Sequence, residues 1–195
     1  MDSVGPMLVS RQEEEGRHDP MMKRTLVAAA AALSLAAPGT PMAQDLAFDC
    51  DVEAGRFSSI TFDTARPLRI SGTIEPVEMR SGDTLPVAGV RLARTDGSHS
   101  FGFQLIAPSP RSPRLDVFFN DRGAQQPRRE LPPVSAEGPI PFVLSIAADG
   151  TGELQVAETV HRFESRPFAP AQVMVFCSTG QFKFAGLAWE TPPSP

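Results

Sequence analysis

Tyrosine is absent from the chain and tryptophan occurs once, at Trp189. A surface that grips a flat ligand by ring stacking therefore has Trp189 as its candidate platform, and core packing is the plainer role for that residue. Cysteine is equally scarce. Cys50 and Cys177 are the only two, with no Cys-x-x-Cys spacing and no histidine beside either, which speaks against a thiolate metal site or a redox motif. No Walker A, His-Glu-x-x-His, Gly-x-Gly-x-x-Gly or Gly-x-Ser-x-Gly run occurs, so the common cofactor, metal and nucleophile motifs are missing. No metal or cofactor is expected, and no catalytic residue stands out. From residue 44 onward there are 14 Lys and Arg against 18 Asp and Glu, a formal charge of −4 spread along the chain. That balance gives no basic patch of the size nucleic acid requires. Lysine is nearly absent from this part: Lys183 is alone among 13 arginines.

Long hydrophobic runs are also missing, with one short exception. Lys23 and Arg24 precede an apolar stretch from Leu26 to Ala37, interrupted only by Ser34 and followed by Pro38, Gly39 and Pro41. A basic start, a short apolar run and a small-residue exit at Ala43 describe a secretory signal peptide. The run is about a dozen residues, short of the roughly 20 a membrane-spanning helix needs. Residues 21–43 are therefore read as a cleaved leader. Residues 1–20 carry Glu13, Glu14 and Glu15 where a leader should be basic. They are read as lying upstream of a true start at Met21 or Met22, with an acidic, disordered extension as the alternative. The mature protein would be periplasmic or secreted, with one domain over 44–190 and a disordered tail over 191–195. Two cysteines in an exported chain argue for a disulfide between Cys50 and Cys177.

Helical spacing is the next absence. No segment of the mature part repeats apolar residues at three and four, whereas alternation of period two is common, which argues strands. Ile70 and Ile74 alternate with Arg69, Ser71, Thr73 and Glu75. Val90 and Leu92 flank Arg91. Phe101, Phe103 and Leu105 alternate with Gly102 and Gln104, and Leu115, Val117 and Phe119 with Asp116 and Asn120. Phe142, Leu144 and Ile146 face Leu154 and Val156 across an Asp149-Gly150 turn, so residues 141–157 read as a hairpin. Ser178, Thr179 and Gly180 suggest a second hairpin turn within 172–189. The apolar parity slips between Phe184 and Leu187 around Gly186, which suggests a β-bulge. Residues 107–114, with three prolines, read as a loop. Residues 121–139 read as a long exposed excursion carrying Arg128, Arg129, Pro132 and Pro133. Roughly nine to eleven short strands at this spacing fit an all-β, antiparallel β-sandwich.

The runs Pro141–Val156 and Val173–Trp189, with a hairpin at Asp-Gly and a closing strand of the form Phe-x-Phe-x-Gly-Leu-x-Trp, resemble the later strands of concanavalin A-like lectin and glucanase jelly rolls. The resemblance covers about a third of the mature chain. It implies first and last strands side by side, which would bring Cys50 within reach of Cys177. An immunoglobulin-like sandwich stays open as an alternative, although the Cys…Trp…Cys order of those domains is absent because Trp189 follows both cysteines. The resemblance implies an exported, non-catalytic binding module for a glycan or cell-envelope polymer, and it does not carry catalysis with it. Glucanases of this fold carry Glu-x-Asp-x-Glu, which is missing here. The acidic, amide and aromatic cluster with which legume-type lectins hold Ca²⁺ and Mn²⁺ is also missing. Two other readings are carried: an envelope protein that docks a second protein through a sheet edge or the 121–139 loop, and a hydrolase with dispersed catalytic residues. The candidate binding residues are Trp189, Arg128 and Arg129. The remaining candidates have plain readings. His99 and His161 read as solvated, and Asp149 and Glu153 as hairpin carboxylates with no Ca²⁺ to hold.

Overall fold

The computed structural model describes residues 46–63, 69–122, 128–147, 149–165 and 172–190. The expected leader and tail lie outside these residues. Among the described residues there is no helix. The chain forms ten strands: β1 (Leu46–Asp63), β2 (Arg69–Met79), β3 (Val87–Ala93), β4 (Ser100–Ile106), β5 (Arg114–Asp121), β6 (Arg128–Ser135), β7 (Ile140–Ile146), β8 (Thr151–Val156), β9 (Thr159–Glu164) and β10 (Gln172–Glu190). All pairings are antiparallel, in the order β6-β5-β4-β3-β10-β2-β7-β8-β9, with β1 also paired to β10.

Strand β10 is what turns this ladder into two layers. Its first part, Gln172–Ser178, pairs with β3 and with the second half of β1. Its second part, from Gly180 on, pairs with β2 and with the first half of β1. The inward residues change parity across the join. Val173, Val175 and Cys177 are buried before it, and Phe182 and Phe184 after it. A strand that rounds the corner of a sandwich must switch faces in this way to keep its apolar side inward. Rings from opposite layers then meet in the core: Phe103 of β4 lies 5.2 Å from Phe142 of β7, and Phe119 of β5 lies 4.4 Å from Phe163 of β9.

The expected hairpin turn at Ser178–Gly180 is therefore a corner within one continuous strand. The reason is Thr179. It is fully buried with φ +55°, and its hydroxyl accepts from the Gly55 amide at 3.2 Å and lies 2.6 Å from the Thr84 hydroxyl. A β-branched residue at positive φ is strained, and these partners from β1 and the β2–β3 loop hold it there. Strand β1 bends at the same level, with its register breaking between Val52 and Phe57. The disulfide sits inside this corner. Cys50 and Cys177 are bonded, with Cα atoms 6.1 Å apart and side chains buried, and they join the first half of β1 to the first half of β10.

The 141–157 hairpin forms as β7 and β8, and Asp149 Oδ1 accepts from the amide and hydroxyl of Thr151 to close its turn. The bulge near Gly186 is present too. Gly186 has φ +59°, and the pairing to β2 slips between Ala185 and Ala188. Residues 121–139 differ from expectation: 128–135 is strand β6, paired to β5. It stands at the end of the strand order, with Pro132 and Pro133 where the β5–β6 register shifts. An edge strand can place its missing N–H groups at such a slip, so prolines did not prevent pairing.

Candidate functional site

Two hollows lie on the described surface, one on each side of β5 and β6. The alternation of a strand explains why. Leu115, Val117 and Phe119 point into the core, so Phe118, Asn120 and Arg122 point outward. The outward residues of β3 and β4, Arg91, Gly102 and Gln104, lie alongside them in register, Arg91 against Gly102 and Gly102 against Asn120. Arg91, Gly102, Gln104, Asn120 and Arg122, together with Phe176 from β10 and Arg128 from β6, line a groove of about 240 Å³. Gly102 lies in the lining, and glycine is needed there because a Cβ would meet the Val90 carbonyl and the Arg91 Cα of the neighbouring strand at 2.1 and 2.8 Å.

The groove combines aromatic faces with guanidinium groups. The Phe176 ring is buried on this outer face and lies 5.8 Å from Phe57, which is 59 % exposed. The Arg91 guanidinium lies over Phe176 at 5.6 Å, and that of Arg128 over Phe118 at 3.7 Å. Burial, and then the neighbouring positive charge of Arg122, lower the pKa of Arg91 from its ordinary value. Among the described residues no carboxylate lines the groove.

The second hollow, about 590 Å³, opens where β5 and β6 approach β9. Phe119, Phe163 and His161 stack there, with Arg129, Arg162, Asp121 and Glu164 around them. His161 is half-buried against these rings, not solvated as expected. Burial lowers its pKa, and the charge of Arg129 adds to the effect. The folded chain thus favours neutral imidazole, while the unfolded chain takes up a proton near pH 6.5. The stability this contributes is complete above about pH 6.5 and is lost as the pH falls from there through the lower pKa of the folded state. Urea midpoints at pH 7.5 and 5.5 should show a smaller loss in His161→Phe than in the natural sequence.

His99 differs from expectation as well. The Asp96–Ser98 turn forms, with Asp96 Oδ1 accepting from the amide and hydroxyl of Ser98, but the His99 ring turns inward and is 8 % exposed. Its Nε2 lies 3.1 Å from Ser165 Oγ and 3.3 Å from the buried Asp121 carboxylate. A serine-histidine-aspartate relay needs the two partners on opposite ring nitrogens. Here one nitrogen faces both, and the contacts tie the residue after β9 to the start of β4 and the end of β5.

The three residues singled out as binding candidates are not brought together. Arg128 and Arg129, adjacent in β6, point to opposite faces, Arg128 into the groove and Arg129 into the second hollow. Trp189 stacks on Phe62 at 5.0 Å and packs against the core cluster. Among the described residues no three His, Cys, Asp or Glu are gathered to hold a metal. The groove residues Arg91, Gln104, Asn120 and Arg122 escaped selection because they appear in the sequence only as the wet positions of separate strands.

No protein-family model matches the chain, and no curated protein is similar to it in sequence. Solved structures do match. Crh5 transglycosylase is 10 % identical with a TM-score of 0.55, covering 75 % of this chain and 72 % of its own. Its complex with NAG matches at 9 % identity and TM-score 0.52, with the same coverage. The alginate lyase from Alteromonas sp. 272 is 6 % identical with a TM-score of 0.50, covering 68 % and 77 %. A β-glucanase of Bacillus licheniformis is 8 % identical with a TM-score of 0.48, covering 75 % and 78 %. Identities this low speak to architecture alone. With two facing antiparallel layers, and with first and last strands side by side and bridged by sulfur, the chain has the concanavalin A-like jelly-roll fold.

Proposed function

We propose that this protein is an exported, non-catalytic module that binds a glycan in the groove formed by the outward faces of β3, β4, β5 and β10. The observation that carries the reading is the lining itself. The Phe176 ring stands in the lining with Gln104, Asn120 and Gly102, and the exposed Phe57 ring lies 5.8 Å from Phe176. Sugars present apolar C–H faces and hydroxyls that need both. Among the described residues, the groove lining has none of the paired carboxylates that glycoside hydrolysis uses. Two relatives in fold, a transglycosylase bound to NAG and an alginate lyase, act on or hold glycans. The disulfide and the leader-like residues 21–43 support export. Docking of a protein partner along β6 is less favoured, because Pro132 and Pro133 leave that edge without two N–H donors.

Affinity electrophoresis of the folded protein through gels containing neutral and acidic polysaccharides tests the reading. Retardation by at least one polymer, weakened in Asn120→Ala and unchanged in Trp189→Ala, is the expected result. Free migration through every gel would overturn it.

A further inference from the structure

We propose that the groove selects a polysaccharide bearing oxyanions, as carboxylate or sulfate groups on the sugar, and that Arg91, Arg122 and Arg128 form its anion site. The inference rests on the glycan reading and narrows its ligand. Three guanidinium groups share one groove of about 240 Å³. Among the described residues, none of the three makes an ion pair with a carboxylate. Arg80, Arg94, Arg114 and Arg162 are each paired with a nearby Asp or Glu, whereas Arg56, Arg69, Arg111 and Arg129 also lack an ion pair among the described residues but do not line the groove. Glu130 stands next but one to Arg128 in β6, opposite Phe118, and among the described residues it makes no ion pair with it.

Arg122 and Arg128 are exposed and Arg91 is half-buried, and bringing like charges together without counter-charge is unfavourable, most of all for the half-buried one. Arg91 registers that cost in its lowered pKa, through burial first and the charge of Arg122 second. The cluster also runs against the overall charge of the chain, −5 at pH 7. An anion placed among the three groups would relieve the repulsion and receive charge-assisted bonds. The planar fork of arginine fits carboxylate and sulfate alike. Phe118 and Phe176 lie beneath Arg128 and Arg91 and limit how those side chains can swing. Gln104 and Asn120 remain to bond neutral hydroxyls of the same sugar.

The test pairs polymers that differ in charge alone: polygalacturonate against its methyl ester, and dextran sulfate against dextran. Binding is followed by calorimetry or affinity electrophoresis at 50 and 500 mM NaCl. The charged member of one pair or both should bind roughly ten-fold or more tighter than its neutral counterpart. That binding should weaken as salt is raised. Arg91→Gln and Arg122→Gln should each lose about ten-fold in affinity, with circular dichroism and the unfolding midpoint near those of the natural sequence. Retention by polygalacturonate alone assigns the site to carboxylate, and by dextran sulfate alone to sulfate. Equal binding of charged and neutral members would overturn the anion site and leave glycan binding standing, whereas no binding of any polymer would remove both. Should a glutamine variant unfold, the comparison of each charged polymer with its neutral partner still decides.

Discussion

Replacing both Cys50 and Cys177 by alanine is expected to lower the thermal midpoint by roughly 8–20 °C. This follows from a chain-entropy effect of about 4–5 kcal/mol and a shift of about 2–4 °C per kcal/mol for a chain of this size. The bond closes a loop of 127 residues, nearly the whole described domain, so the unfolded chain loses much of its freedom. The place of the bond matters as much as its length of loop. It ties the first half of β1 to the first half of β10 beside the Thr179 corner, where one strand passes from layer to layer. Without it the corner depends on the Thr179 hydroxyl contacts and on pairing between β1 and β10. Calorimetric scans of the natural protein with and without reductant, beside scans of the double variant, check this. Reductant should shift the natural protein to the variant's midpoint and leave the variant unmoved. An unchanged midpoint for the double variant would show that the sulfurs contribute nothing to the fold.

Strands with one dry face could be read in the chain, because burial on one side imposes period two. Phe101, Phe103 and Leu105 of β4, and Phe142, Leu144 and Ile146 of β7, are legible for that reason and are buried as expected. The bulge at Gly186 was legible because the inward parity slips there. The corner at Thr179 was not. Ser-Thr-Gly is turn-like in composition, and whether such a segment reverses the chain or bends it depends on partners far away in sequence, here Gly55 and Thr84. Strand β6 was hidden by its prolines and charges, since its pairing is fixed by β5 and not by its own propensity. His99 was misread because its neighbours in sequence are polar, while its neighbours in space are Asp121 and Ser165. The groove is the clearest case. Arg91, Gly102 and Asn120 become neighbours only through the registers of β3, β4 and β5, and no spacing within one strand announces that.

Two phenylalanines separate what holds the sandwich from what the groove presents. Phe103 is 1 % exposed and meets Phe142 across the layers. Phe103→Ala should cost about 3–5 kcal/mol, the range for emptying a buried aromatic site. That is a large share of the roughly 5–15 kcal/mol that holds a typical domain folded. Phe57 sits at the opposite extreme. It belongs to the outer strand β1, and its ring touches Phe176 beside the groove. Phe57→Ala should leave stability within about 0.5 kcal/mol, as for exposed positions generally. It should weaken retention by a bound polysaccharide, because a solvent-facing ring there has little to do but stack. Denaturant titration and affinity electrophoresis on both variants read the two effects separately. A Phe103→Ala variant as stable as the natural protein would mean that the layers do not press on each other at this point. A Phe57→Ala variant that unfolds early would instead make the exposed ring part of the scaffold, and the groove would lose one wall of its stacking surface.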